Sequence, residues 1–202
     1  MTAAEHLPRG GSIEGTISAG FPPEEVFRPR EVALKDGRTA VIRRAKPQDA
    51  EAVIAHVNAI GAEGIHIMTE QLDLSPKEER AVFRKADAKS GLYIVAVIAG
   101  EIVATADITR GRHSKNRHTA ELGIALRKDA RGAGLGTAMM QTMIEWARSI
   151  GVQKILLGVF ASNKPALALY RRLGFIQEGR LRGQVKLRGK PVDELLMALW
   201  LR

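Results

Sequence analysis

The chain has 202 residues, 31 Lys and Arg against 22 Asp and Glu, a formal charge of +9 and no cysteine. The length suits one ordinary domain with a tail, the apolar share of 45% suits a buried core, and the missing thiols exclude disulfides, thiolate metal sites and cysteine nucleophiles. Apolar runs such as 93–99 and 195–201 fall far short of a membrane helix of roughly 20 residues, and Glu5, His6, Pro8 and Arg9 interrupt any signal-like stretch, so the expectation is a cytoplasmic protein with no membrane contact.

Residues 1–30 are rich in Gly and Pro, lack a sustained period, and read as a loosely ordered extension. From Glu31 the pattern is regular and 31–202 reads as one domain. Residues 31–35 and Thr39–Arg44 flank Asp36-Gly37 as a hairpin. Asp49 is placed to cap a helix whose apolar stripe is Ala50, Val53, Ile54, Val57 and Ile60. Ser75-Pro76-Lys77-Glu78 predicts a capping box and a helix running to about Lys89. Runs at 92–98 and 101–108 form a second hairpin about Ala99-Gly100, and a basic loop leads to a strand over Thr119–Leu126. Leu135, Met139, Met143, Trp146 and Ile150 share one face of a long helix that stops at Gly151. A strand at Lys154–Phe160, a helix at 163–173 and strands at 175–178, 180–187 and 192–201 complete the chain. This succession predicts a mixed α/β (α+β) domain of three layers, with helices on both faces of a sheet.

Chemistry concentrates where the strand ending at Leu126 passes through Arg131-Gly132-Ala133-Gly134-Leu135-Gly136-Thr137 into a helix. Glycines there let backbone approach a ligand, and amides at a helix start favour a phosphate; tight strand–helix packing is the other reading. The glycine spacing fits neither a P-loop, which needs a Lys before Thr137, nor the dinucleotide fingerprint. No His pair has the helical metal spacing and no Gly-x-Ser-x-Gly is present, so neither a metal nor a serine hydrolase is expected.

Arg131-x-x-Gly134-x-Gly136 after a strand resembles the acyl-CoA signature of the GNAT N-acyltransferase superfamily. A second segment agrees: Asn163-Lys164-Pro165-Ala166…Leu169-Tyr170…Gly174-Phe175 resembles that family's later helix and strand entry. The resemblance covers about residues 31–201. It implies a mostly antiparallel twisted sheet splayed at its middle strands, and acetyl-CoA as co-substrate. It sets the diphosphate on the amides of Gly132, Ala133, Gly134, Leu135, Gly136 and Thr137, with Arg131 as a charged donor. It sets the pantetheine arm beside the backbone of Ile124, Ala125 and Leu126 and beside Asn163. It implies Glu121 as the base and Tyr170 as the acid toward the departing thiolate. Each has a plainer reading: Glu121 pairing with the basic loop, Tyr170 packing, and Ser162 or Asn163 capping a helix.

The activity implied is acetyl transfer to a primary amine of a small molecule, an amino-acid-like compound or a protein, by direct attack in a ternary complex. The alternatives are a basic nucleic-acid- or ribosome-associated module and a CoA binder without catalysis. Aromatics at 4% and basic segments without interleaved rings disfavour nucleic acid. A homodimer through the closing strands is a further expectation of the resemblance.

Overall fold

The computed structural model describes residues 27–85 and 90–201. The extension expected at the start thus lies almost wholly outside the described residues, as does the continuation of the second helix toward Lys89. Among the described residues there are eight strands: β1 (Arg30–Ala33), β2 (Thr39–Arg44), β3 (Gly91–Ile98), β4 (Glu101–Arg110), β5 (Thr119–Leu126), β6 (Lys154–Phe160), β7 (Ile176–Leu187) and β8 (Lys190–Trp200). The helices are α1 (Ala50–Gly61), α2 (Pro76–Lys85), α3 (Leu135–Ser149) and α4 (Lys164–Arg172). The strands form one sheet in the order β1-β2-β3-β4-β5-β6-β8-β7. Among the described strands only the β5–β6 pair is parallel, as its α3 crossover requires.

The period-two alternation of the strands divides the core between two helical layers. Ile42, Ile94, Ile108 and Leu122 face α3 and α4 and pack with Leu135, Met139, Met143 and Leu167. Tyr93, Val95 and Val97 face the other way, against Val53 of α1 and Phe83 of α2. Met139, Met140 and Met143 are fully buried, each burial worth about 1.5–3 kcal/mol. The α1/α2 layer packs on β3, β4 and β5. On β7 and β8, Ile176 at 59% and Trp200 at 52% are exposed.

The capping box forms as the spacing predicts: Ser75 Oγ accepts from Glu78 N–H at 3.3 Å while Glu78 Oε2 accepts from Ser75 N–H at 2.8 Å. Asp49 differs. Its carboxylate does not cap α1 but accepts from Arg43 at 2.7 and 2.9 Å and from Lys46 N–H at 2.7 Å, because a guanidinium fork outcompetes a helix amide. The segments expected as two strands at 175–178 and 180–187 are one strand, β7, interrupted by irregularities at Gln177/Gly179 and Leu181/Val185.

Candidate active site

β5 and β6 share three rungs: Thr119 with Lys154, Ala120 with Ile155, Glu121 with Leu156. Past these rungs the pairing ends, and both strands wall a cavity of about 1310 Å³. The β4–β5 ladder decides which backbone groups face it. Gly111 N–H donates to Thr119 and Arg127 N–H to Val103, both at 2.9 Å. In an antiparallel ladder the bonded pairs alternate, so Glu121, Gly123 and Ala125 turn their backbone groups to β4. Ile124 and Leu126 turn theirs to the wedge. Ala125, expected to share that role, therefore contributes wall but no amide, and its carbonyl also accepts from His56 Nε2 at 3.4 Å.

The glycine loop adopts the backbone its composition permits. Gly132 has φ +79° and Gly134, which caps α3, has φ +95°, left-handed values that any other L-residue takes at a cost of about 1–2 kcal/mol. The first helical bond of α3 runs from Ala138 N–H to Gly134 O at 3.2 Å. The amides of Leu135, Gly136 and Thr137 consequently have no intrahelical acceptor and carry the positive end of the helix dipole. A Cβ at Gly136 would lie 3.4 Å from Leu169 and 3.5 Å from Leu126, ordinary contact distances, so packing of α3 on α4 and β5 does not by itself require glycine there. Lys35, whose N–H donates to Ala133 O at 3.0 Å, lays its side-chain stem beside Gly134 and lines the cavity. Open amides, a left-handed cap and a lysine on the same wall fit a diphosphate.

Arg131 is placed otherwise than as a simple phosphate donor. Its Nη1 and Nη2 donate to Glu63 at 2.8 and 2.6 Å, Nη1 also meets His66 Nε2 at 2.9 Å, and Nε donates to Leu126 O at 2.9 Å. The guanidinium joins the loop after α1 to the glycine loop. Hydrogen bonding from Arg131 holds the Glu63 carboxyl below its ordinary pKa, while burial and the same cation push His66 down.

Glu121 is exposed, lines the cavity beside the last β5–β6 rung and makes no ion pair with the basic loop among the described residues. Asp107 sits behind it. Its carboxylate occupies space a Cβ on Gly123 would contest at 2.9 Å, and burial, with Glu79 and Glu121 nearby, raises its pKa to about 7. Tyr170 is 7% exposed, lines the cavity from α4 and is raised by burial to about 12. Asn163 caps α4, accepting from Ala166 N–H at 3.3 Å, and lines the same cavity.

The opposite end of the cavity holds residues that no motif marked. β7 bulges between Leu181 and Val185, where Gly183 has φ +58° and donates its N–H to Asp193 at 2.8 Å; Arg180 also donates to Asp193. The bulge presents Leu181 and Gln184 to the cavity, and Glu194 of β8 joins them at 4% exposure. Glu63, Glu194, His56 and His66 carry no local signal, because partners far away in the chain set where each one sits. Among the described residues no group of three or more His, Asp or Glu is arranged to hold a metal, and no helix is long and apolar enough to cross a membrane.

Comparison with known proteins agrees with this geometry. Residues 63–175 match the Acetyltransferase (GNAT) family. The chain is 32% identical over 162 residues to L-amino acid N-acetyltransferase AaaT of Escherichia coli, covering 78% of this chain and 96% of that protein. It is 29% identical over 165 residues to the L-methionine sulfoximine/L-methionine sulfone acetyltransferase of Pseudomonas paraeruginosa, covering 80% and 94%. Among solved structures, an acetyltransferase of the GNAT family from Streptococcus pneumoniae superposes with a TM-score of 0.77 at 26% identity, over 81% of this chain and 99% of that one. A phosphinothricin acetyltransferase from Sinorhizobium meliloti, solved in complex with acetyl-CoA, shares the fold at a TM-score of 0.73 and 22% identity, over 80% and 88%.

Proposed function

The chain belongs to the GNAT acetyltransferase family and is an acetyl-CoA-dependent N-acyltransferase, and from that premise we propose that it acetylates the primary amine of an amino-acid-like compound by direct attack in a ternary complex. The observation that carries this reading is the wedge past Glu121 and Leu156, which opens beside the uncapped amides of α3. Relatives that act on L-amino acids and on L-methionine sulfoximine support the acceptor class; a protein amine is the second member of that class.

Acetyl-CoA supplies an activated thioester and a thiolate leaving group. The amides from Gly132 to Thr137 receive its diphosphate, and Asn163 lies beside its arm. The Ile124 N–H, with that of Leu126, hydrogen-bonds where negative charge develops on the thioester carbonyl. Glu121 accepts a proton from the incoming ammonium, and the Tyr170 hydroxyl donates one to the departing sulfur. Asp107 keeps a proton near neutrality behind Glu121 and shapes its surroundings. Arg131 acts by holding the glycine loop to Glu63. The acetyltransferase domain spans residues 31–202, the cytoplasm is its compartment, and Ile176 and Trp200 supply an apolar face for a homodimer.

Thiol release from acetyl-CoA, followed with a panel of amino acids, simple amines and peptides, tests the reading. Acetylated product with at least one amine is expected. Acetyl-CoA binding without any acylated amine reduces the protein to a binder, and absent binding overturns the site.

A further inference from the structure

The cavity is divided by charge. Beside the glycine loop and α4 it carries Lys35 and Arg172, its cationic end; its carboxylates, Glu121 and Glu194, lie on β5 and β8. Strand register places both on the face of the sheet opposite α3 and α4. Leu122 of β5, together with Leu195 and Met197 of β8, packs in the α3/α4 core, so Glu121 and Glu194, one residue out of phase, project to the other face. A ligand threading the wedge from the cationic end meets these two carboxylates on emerging.

Glu194 is the less expected of the two. Among the described residues the α1/α2 cluster includes no side chain of β6, β8 or β7, yet Glu194 is only 4% exposed. Its side chain leans across β6 onto Gly158, where a Cβ would overlap Oε1 and stand 3.1 Å from Cδ. Gly158 lies two residues beyond Leu156, the last β6 residue paired with β5, so the carboxylate rests at the lip of the wedge. Its register partners Phe160 of β6 and Leu181 of β7 line the cavity with it, as does Leu196, and such apolar side chains strengthen the attraction between a carboxylate and an entering cation. Any residue larger than glycine at position 158 would displace the carboxylate from this place.

We propose that Glu194, seated over Gly158, binds the ammonium group of the acceptor and directs it toward the thioester, leaving Glu121 to take the proton. The inference rests on the amine-acetylation reading and extends it. It assigns the acceptor a cationic nitrogen that docks against β8, and it gives Gly158 the task of making room for the docking group.

The test uses the full chain, saturating acetyl-CoA, and L-methionine sulfoximine, L-alaninamide and n-butylamine as probes, with thiol release as the rate and calorimetry for acetyl-CoA binding. Glu194→Gln keeps the shape and removes the charge. It should raise the KM of the best amine about tenfold or more, while kcat falls far less and the acetyl-CoA Kd stays within about twofold, which also reports an intact fold. Glu194→Asp should recover part of the loss. An amine KM within about twofold of the parent in Glu194→Gln, or an acetyl-CoA Kd raised as much as the amine KM, overturns the proposal. Absence of thiol release by the parent with every amine overturns the underlying reading instead, and is told apart because no substitution is involved.

Discussion

Arg131 and Glu63 meet through two hydrogen bonds of 2.8 and 2.6 Å although 68 residues separate them in the chain. Each is about a quarter exposed, so the pair is worth more than a surface contact but is still screened by water. Its position matters more than its strength. It ties the start of the loop after α1, which carries His66 and Met68 into the cavity, to the loop that opens α3. Glu63→Gln should raise the KM of the amine about threefold to tenfold, with a smaller change in acetyl-CoA affinity, measured by initial rates and calorimetry. The Glu63 carboxyl is held low by Arg131, so the link is complete above the ordinary carboxylate range and is lost as pH falls through the depressed value. Equal loss of both affinities would show that Arg131 contacts the diphosphate directly.

Gly134→Val places a β-branched residue at φ +95° and a side chain where the diphosphate approaches. The strain should lower stability by about 1–2 kcal/mol, visible as a modest fall in Tm, while the fold persists. Acetyl-CoA binding by calorimetry should weaken at least about tenfold. Parent-like binding would remove the glycine loop from the site.

Tyr170→Phe removes one hydroxyl from a side chain already 93% buried and should leave acetyl-CoA affinity nearly unchanged. Turnover should fall about 10- to 1,000-fold if the hydroxyl protonates the thiolate. Because burial raises Tyr170 to about 12, the parent should hold this proton at every pH where the protein is ordinarily assayed, and its rate should show no alkaline loss from this group below that value. An unchanged turnover number assigns Tyr170 to packing.

Asp107 gives stability a pH dependence of the opposite sense to Glu63. Its folded pKa of about 7 exceeds the ordinary carboxylate value of about 3.9, so its contribution is complete below the lower value and disappears as pH rises through the upper one. Glu79, also raised to about 7 by burial, adds to the same trend. Melting temperature should therefore decline between about pH 4 and pH 7 by this mechanism, and Asp107→Asn should flatten the decline. A parent-like slope in that variant would locate the titration elsewhere.

Local physics explains what could be read before folding. Ser75 and Glu78 satisfy each other within one turn, and Gly132 and Gly134 need nothing beyond their own backbone to enter left-handed conformations. The same locality misleads at Asp49, where Arg43 from the preceding strand takes the carboxylate, and at β7, where Gly179 imitates a strand end but forms an irregularity within one strand. Glu63, His66 and Glu194 were illegible because their partners and surroundings are set by sheet register and loop closure over long stretches of sequence. Ala125 shows the finest limit: which way an amide points depends on ladder parity, which a hydrophobic pattern does not encode.

Asp193 fastens Gly183 and Arg180 within the outermost strand of the sheet, one with a single neighbour among the described residues. Lengthening, shortening or reshaping that strand breaks no ladder on its far side and leaves the β5–β6 junction alone. Descendants of this architecture can thus acquire new appetites by editing a rim while the engine that burns the thioester stays as it is.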